Sequence, residues 1–278
     1  MTRLLFIADF FVEHLIGGGE LNNEELIHLL TKSGFVVETA QSHLVTQDSL
    51  IGVDGIIIAN FINLNGLVKE KIITGSMPYI IYEHDHKYLK TRNPADYEDF
   101  IAPPSEIINF DFYKNARAVL CQSKFHADIV TNNLLIDNII NLSGNLWSIS
   151  ALKLMESLAK KTKNKKSSIM KSRIPHKNTI GAVNYCHQKG IEYDLIEPDQ
   201  PEGFLENISK NENLIFFPLT PETFSRIVVE TRMMNMNLTT NELVGATKEP
   251  WFKKKGLELI EYFVEKREEI VKVVKNAF

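Results

Sequence analysis

The sequence predicts an α/β protein built from two domains, each a doubly wound parallel sheet. Short apolar runs, typical of buried strands, alternate along the chain with longer amphipathic segments that suit helices. The length of 278 residues corresponds to two domains at about 150 residues each. Both observations favour the same architecture.

The first half predicts six strands with helices between them. The strands are expected at 4–8, 35–39, 55–59, 79–82, 118–121 and 138–142, and the helices at 17–32, 64–73, 106–115 and 124–132. Ligands of such sheets bind at the carboxyl ends of the strands. We therefore expect a site among the polar residues that follow the strands, at 17–20, 60, 84–86 and 123.

The second half of the sequence shows the same alternation of strands and helices, with fewer elements. Strands are expected at 168–170, 192–196, 214–217 and 238–240, and helices at 151–155, 178–189, 201–207, about 223–234 and 253–276. The last helix has a wide apolar stripe. We predict a first domain over 1–148, a linker over 149–167, a second domain over 168–252, and a C-terminal helix over 253–278 that crosses back to the first domain.

The predicted linker is rich in lysine, with Lys160, Lys161, Lys163, Lys165 and Lys166 close together. Two interpretations stay open. The cluster is a solvated, mobile linker, or it is a patch that meets a polyanion such as DNA.

Composition excludes several classes of protein. A net charge of -4 argues against binding nucleic acid over the whole surface. Cys121 and Cys186 lack the spacing of a metal site, and we expect two buried thiols in a reducing, cytoplasmic compartment. The N-terminal apolar run is too short for a signal peptide, and no run is long enough to span a membrane.

The stretch from Pro218 to Glu230 organises the second half. It follows an apolar strand, and two prolines keep the chain extended before Glu222. Thr223 or Ser225 is expected to cap the helix that follows. Free amides at a helix start attract phosphate, whereas the carboxylates of Glu222 and Glu230 suit sugar hydroxyls.

Seven residues separate the two glutamates, which resembles the E-x7-E signature of retaining glycosyltransferases of the GT-B fold, of the family 4 type. The resemblance implies that Glu222 contacts the transferred sugar and Glu230 the donor's ribose. It also implies that the backbone of Thr223, Phe224 and Ser225 meets the donor diphosphate. The plainer alternative is a helix start with one acidic residue in its first turn and one solvated glutamate later.

The glycine run before the first helix has two interpretations. A dinucleotide fold would need G-x-G-x-x-G, but the third position is Asn22, although Glu38 falls near the place of a ribose-binding acid. The run also resembles the Gly-Gly loop of GT-B transferases. There, Gly18 and Gly19 would admit the donor and Glu20 would lie on the acceptor side.

The cluster Tyr82-Glu83-His84-Asp85-His86 is the densest polar group in the chain. It does not match a metal site. By the resemblance, His84 and Asp85 are catalytic candidates that contact the transferred sugar, and His86 is an acceptor-side candidate. The alternative is that these histidines bond loop backbone.

Arg173 and Lys177 follow the first strand of the second half, where the family places an arginine and a lysine on the diphosphate. Fixed cations stabilise the charge that grows on a leaving phosphate, so no metal or other cofactor is expected. The family's usual glycine before the arginine is replaced by Lys171-Ser172. The alternative is two surface cations.

The sequence as a whole resembles a short, phage-type GT-B transferase with two facing domains, which would move a sugar from a nucleotide donor, expected to be UDP-linked. Some relatives glycosylate hydroxymethylated bases in DNA, which the lysine cluster would suit. The competing interpretations are an NAD-type oxidoreductase and a non-catalytic nucleotide- or sugar-binding protein.

Overall fold

Ten parallel strands form two separate sheets in the computed structural model, which describes residues 1–278. The chain divides into two units. Unit 1 comprises Met1–Leu146 and Arg267–Phe278, and unit 2 comprises Trp147–Lys266. The predicted α/β class with two parallel sheets is confirmed.

Unit 1 contains a six-stranded sheet in the order β2-β1-β3-β4-β5-β6. Its strands are β1 Arg3–Ala8, β2 Val36–Gln41, β3 Gly55–Ile58, β4 Tyr79–Tyr82, β5 Ala118–Cys121 and β6 Ile139–Asn141. Its helices are α1 Gly18–Lys32, α2 Gly66–Thr74, α3 Phe110–Lys114 and α4 Lys124–Leu134. The three central strands β3, β4 and β5 are fully buried, which explains their unbroken apolar sequences.

Alternate residues of β1 enter two different cores of unit 1, one on each face of the sheet. Leu5 and Ile7 pack with one cluster, and Leu4 and Phe6 pack with the other. The second cluster also contains Ile270 and its neighbours from the end of the chain. This alternation is what a period of two residues along a strand dictates.

Unit 2 contains a four-stranded sheet in the order β10-β9-β7-β8. Its strands are β7 Asn164–Met170, β8 Tyr193–Ile196, β9 Asn211–Phe216 and β10 Asn237–Thr240. Its helices are α5 Ile149–Ala159, α6 Thr179–Lys189, α7 Pro201–Ile208 and α8 Arg226–Met233, and the last helix of the chain, α9, spans Leu257–Lys275. Because the strands are parallel, the loops that follow β7, β9 and β10 meet at one edge.

The segment predicted as a linker is folded instead. Residues 149–167 form α5 and the first part of β7, and Leu152, Met155 and Leu158 are buried in the main core of unit 2. α5 extends the helix expected at 151–155, and the lysine-rich stretch that follows it enters β7 instead of remaining a linker. None of the helices is both long and apolar enough to cross a membrane.

Candidate functional site

Three loops of unit 2 are tied together at the carboxyl edge of its sheet. Asn178, at the start of α6, donates from Nδ2 to the carbonyl of Phe217 at 2.9 Å. The amide of Leu219 donates to the carbonyl of His176 at 2.8 Å, and Asn241 Nδ2 donates to the carbonyl of Pro218 at 2.7 Å. The loop after β9 is therefore held between those after β7 and β10.

Glu222 lies at the centre of these loops and is fixed through its backbone and its side chain. Its amide donates to the carbonyl of Leu243 at 2.8 Å, and its carbonyl accepts from the amide of Gly245 at 2.9 Å. Lys177 Nζ donates to both carboxylate oxygens, at 2.7 and 2.9 Å. The side chain of Glu222 is 12% exposed and that of Lys177 is 25% exposed, so the ion pair is mostly shielded from water. Two residues predicted for the donor are thus in direct contact.

The start of α8 offers backbone donors. Ser225 occupies the N-cap position with φ 68°, in the left-handed region, and its hydroxyl makes no capping bond. The expectation that Thr223 or Ser225 caps the helix through its side chain is therefore wrong. The amides of Phe224 and Ser225 donate to no acceptor within the protein, while the Phe224 ring is buried against Trp147 and Trp251. This anchored turn leaves amide groups for an anionic ligand.

Glu230 lies one helical turn beyond Arg226, and its residue is 9% exposed. Its Oε1 accepts from Trp147 Nε1 at 2.8 Å, and Arg226 Nε lies 3.4 Å from the same oxygen. The guanidinium carbon of Arg226 lies 4.4 Å from the Trp147 ring centroid. Glu230 is therefore an oriented carboxylate and not a solvated one.

Arg173 is an exposed residue in the loop after β7, and no protein carboxylate pairs with it. The loop itself is ordered, because the Ser172 amide donates to Thr179 Oγ1 at 3.0 Å and that hydroxyl donates to the Met170 carbonyl at 2.9 Å. Arg173 and Lys177 therefore share one loop, with only Lys177 engaged by an acid.

In unit 1, His84 follows β4 and has both ring nitrogens hydrogen-bonded. Nε2 lies 2.7 Å from Asn23 Oδ1, and Nδ1 lies 2.7 Å from Gln122 Nε2. The amide orientations assign a proton to Nε2 and an acceptor role to Nδ1. The ring also stacks on Tyr82, with centroids 5.0 Å apart. His84 is thus oriented by neutral partners.

Asp85 is a half-buried carboxylate between two cations. Lys87 Nζ lies 2.9 Å from Oδ1, and Arg92 Nη1 lies 3.4 Å from Oδ2. Burial alone would raise the pKa of Asp85, but Lys87 and Arg92 hold that pKa below its usual range. Lys87 also donates to Glu83 at 2.6 Å, inside the protein. This network keeps Asp85 ionised.

The glycine run forms the start of α1 beside these residues. A Cβ at Gly17 would lie 2.5 Å from Glu20 Oε2, so glycine lets this carboxyl fold back over the helix start. A Cβ at Gly19 would lie 3.6 Å from the His84 ring. Burial raises the pKa of Glu20, and the nearby charges of Asp85 and Asp9 raise it further. Gly18 is the first residue of the helix.

His86 points into unit 1 and does not form part of an accessible site. It is 2% exposed, its Nδ1 lies 3.1 Å from Tyr88 Oη, and its ring packs edge-on against His126. Burial lowers the pKa of His86 to about 4, so the ring is neutral near pH 7. The acceptor-side role expected for His86 is not compatible with this position.

The structure removes the support that Glu38 gave to the dinucleotide interpretation, and it gives Asn22 a structural role. Asn22, at the third glycine position, is fully buried, and its Oδ1 accepts from the Leu146 amide at 3.0 Å. β2 continues to Gln41, so Glu38 lies within the strand, where it pairs with Arg3 at 2.6 Å. Neither residue is placed to receive a ribose.

The lysine cluster lies at the amino ends of the unit 2 strands, opposite the loops that hold Glu222. Lys160 pairs with Glu156 at 2.7 Å, and Lys163 donates to two backbone carbonyls. β7 spans seven residues, so about 20 Å separates its ends. Lys160 and Lys163 are therefore bonded to groups of the protein itself and stabilise unit 2.

Several site residues escaped sequence reasoning, among them Trp147, Arg226, Asn23, Gln122 and Lys87. Trp147 and Arg226 carried no motif, although an arginine one turn before Glu230 was a signal of an i,i+4 pair. Asn23 and Gln122 contact His84 from elements that are distant in the sequence, whereas Lys87 lies two residues from Asp85. The chain contains no group of three or more His, Cys, Asp or Glu side chains arranged to hold a metal ion.

No family model and no curated protein matches the sequence. Solved structures do share the fold. An alpha-glucosyltransferase bound to UDP and a 13-mer DNA is 10% identical, with a TM-score of 0.56, covering 98% of this chain and 90% of that one. HepE of Anabaena, bound to UDP and glucose, is 12% identical with a TM-score of 0.56, covering 100% and 92%.

The catalytic domain of starch synthase IV from Arabidopsis thaliana, bound to ADP and acarbose, is 9% identical, with a TM-score of 0.58 and coverage of 98% and 92%. At such identities, the likeness shows the fold alone. The fold is of the GT-B type, with two Rossmann-like units, as the sequence predicts.

Proposed function

We propose that the protein is a glycosyltransferase that moves a sugar from a nucleotide-sugar donor, UDP-linked, to an acceptor hydroxyl with retention at the anomeric carbon. The observation that carries the proposal is the arrangement around the start of α8. Glu222 is ion-paired with Lys177 before the helix, amides are free at its first turn, and Glu230 is oriented within it. This arrangement offers acceptors for hydroxyls and donors for phosphates within one structural element.

The donor diphosphate is assigned to Lys177, Arg173 and the amides of Phe224 and Ser225. Arginine holds phosphate oxygens in a bidentate way, and lysine acts as a point charge. Charge grows on the phosphate as the sugar leaves, so these groups are worth more in the transition state than in the bound donor. The exposure of Arg173, without a protein carboxylate, supports this role.

The two glutamates are assigned to the two sugars of the donor. Glu222 accepts hydrogen bonds from hydroxyls of the transferred sugar, and Glu230 accepts from the ribose. Lys177 directs the Glu222 carboxylate through two of its N–H groups, and its third N–H is available to a phosphate oxygen.

Within unit 1, Asp85 is proposed to accept a hydrogen bond from a sugar hydroxyl, since it is ionised and half-buried. In the same unit, His84 is proposed to contact a sugar hydroxyl, with its ring oriented by Asn23 and Gln122. Gly18, Gly19 and Glu20 form the neighbouring first turn of α1.

The proposed reaction needs no protein nucleophile. The acceptor oxygen bonds to the anomeric carbon on the face that the phosphate leaves, and the bond from that carbon to the phosphate oxygen breaks. The acceptor proton passes to the leaving phosphate, which releases a nucleoside diphosphate and a product of unchanged anomeric configuration.

The first acceptor to test is DNA, because an alpha-glucosyltransferase of the same fold has been solved with DNA, including DNA that contains an HMU base. The lysine cluster would then contact phosphates at the opposite end of the unit 2 sheet from Glu222, which is about 20 Å along β7.

Thermal-shift measurements with nucleoside diphosphates, dinucleotides and free sugars test the proposal. We expect UDP to raise the melting temperature, and the Lys177→Ala variant to lose most of that shift. Stabilisation by NAD without any by UDP would favour an oxidoreductase, and stabilisation by free sugars alone would favour a non-catalytic binding protein.

A further inference from the structure

An open cavity of about 720 Å³ lies in unit 2 beside β10, the edge strand of its sheet. Its walls come from the end of α8, from β10 and from residues 247–253, which precede α9. None of the residues assigned to the donor, such as Glu222 and Lys177, lines it. Sites for small molecules occupy about 300–1,000 Å³, so the cavity is large enough for a ligand of its own.

The lining of the cavity carries an excess of positive charge. It contains the cations Arg232, Lys248 and Lys253, against one acid, Glu249, which is 4% exposed. No carboxylate pairs with any of the three cations. Burial and the charge of Arg232 lower the pKa of Lys255, so a fourth cation lies nearby. Unbalanced charges of one sign around a cavity attract a ligand of the opposite sign.

Arg232 is the fixed cation of this cavity. Its Nη2 donates to the carbonyls of Lys253 and Lys254, at 3.3 Å each, and its guanidinium carbon lies 5.6 Å from the Phe252 ring centroid. Its Nη1 makes no hydrogen bond to the protein. Partial burial lowers the pKa of Arg232, which means that neither water nor an acid fully compensates its charge. An oriented guanidinium without a carboxylate is suited to receive an anion.

The uncharged groups of the lining narrow the class of ligand. Thr240 and Thr247 donate their hydroxyl protons to backbone carbonyls, at 2.5 and 2.7 Å, so the contacts to an anion fall mainly on the cations. Leu238, Pro250 and Phe252 add apolar surface to the same walls. The cavity therefore offers charge for an anionic group and carbon for an organic skeleton.

We propose that this cavity binds a small organic phosphate, with the phosphate on Arg232, Lys248 and Lys253 and the skeleton against Leu238 and Phe252. Arginine holds phosphate oxygens in a bidentate way, and the lysines add point charges. A phosphate dianion balances the excess charge of the lining, which a single carboxylate would balance only in part. The inference does not depend on the proposed glycosyl transfer, because it uses none of the residues assigned to that reaction.

Nitrogen–proton correlation NMR of the wild-type protein, titrated with phenyl phosphate and with inorganic phosphate, tests the inference. We expect saturable shifts of the backbone amides at 232, 238–241 and 247–253. Phenyl phosphate should bind at least about threefold more tightly than inorganic phosphate, because its ring buries apolar surface. Arg173→Ala, which alters the proposed donor loop, should leave these shifts unchanged and so separates the two sites.

Variants of the lining test which groups hold the phosphate. Arg232→Met should weaken phenyl phosphate binding about tenfold or more, and Lys248→Ala about threefold. Lys248 is exposed and makes no hydrogen bond, so its removal does not endanger the fold. Lys189→Ala, which removes an exposed lysine of unit 2 outside the cavity, is the matched control and should keep the wild-type affinity.

Three results would overturn the inference. The first is a wild-type protein without saturable shifts at these amides, which does not depend on the folding of any variant. The second is wild-type affinity in Lys248→Ala and in a folded Arg232→Met, or equal affinity for phenyl phosphate and inorganic phosphate. The third is a short DNA duplex that shifts the same amides at far lower concentration than phenyl phosphate, which would assign the cavity to nucleic acid.

Discussion

Replacing Lys177 by methionine leaves the Glu222 carboxylate without its counter-charge while keeping most of the apolar side-chain length. Two hydrogen bonds, at 2.7 and 2.9 Å, are lost from a carboxylate that is 12% exposed. A hydrogen bond to a charged group contributes about 1.5–3 kcal/mol. Because Lys177 is 25% exposed, water replaces part of the interaction, and we expect the free energy of unfolding to fall by about 2 kcal/mol.

Urea unfolding followed by tryptophan fluorescence measures this change in unit 2 specifically, since both tryptophans lie there. In a double-mutant cycle with Glu222→Gln, we expect a coupling energy of about 1–2 kcal/mol. The matched control is Lys171→Met with Glu197→Gln, an exposed pair in the same unit, for which about 0.5 kcal/mol or less is expected. Equal coupling energies for the two pairs would refute the argument that shielding makes the Lys177–Glu222 pair special.

Four further outcomes are expected. Glu230→Ala should weaken UDP binding about tenfold or more, and an unchanged dissociation constant in calorimetry would reject its ribose role. Arg173→Ala should lower turnover more than it raises the Michaelis constant of the donor, with activity retained in EDTA; wild-type turnover would reject the phosphate assignment. Between pH 6.5 and about 4, unfolded His86 binds a proton that the folded form does not, so the free energy of unfolding should fall by about 2 kcal/mol from pH 7 to 5, and His86→Gln should reduce that fall. Truncation after Phe252 should destabilise the protein, because it removes Phe263 from the unit 2 core and Ile270 from a unit 1 core; full stability of the truncated monomer would contradict this.

Strand positions were predictable wherever burial on both faces produced an unbroken apolar run. β4 and β5 match their predicted bounds, and α1 and α6 begin within one residue of the expected glycine or asparagine. The start of β7, at 164–167, was not predictable in this way, because Lys165 and Lys166 make it polar and it is only partly buried. The charged side chains therefore obscured the first part of this strand.

The candidate site was predictable only where its residues share a stretch of chain. The spacing of Glu222 and Glu230 indicated a helix start with two oriented carboxylates, and the contact between Glu222 and Lys177 agrees with a common site. The partners of Glu230 and His84 were not predictable, since Trp147 and Gln122 reach them from distant parts of the sequence. The burial of His86 was not predictable either, because the sequence alone does not tell which residue of a polar cluster points inward.

Incubation of the wild-type protein and Glu222→Gln with a panel of nucleotide sugars, followed by mass spectrometry of the released nucleotide, tests the central claim most directly. We expect the wild-type protein to release a nucleoside diphosphate from at least one UDP-sugar. Glu222→Gln should still fold and bind UDP, but it should release the nucleotide at least about tenfold more slowly. Proton NMR of the product should show the anomeric configuration of the donor. Release at equal rates by both proteins, or a wild-type protein that binds UDP yet consumes no nucleotide sugar with any acceptor, DNA included, would contradict the assignment of this site to glycosyl transfer.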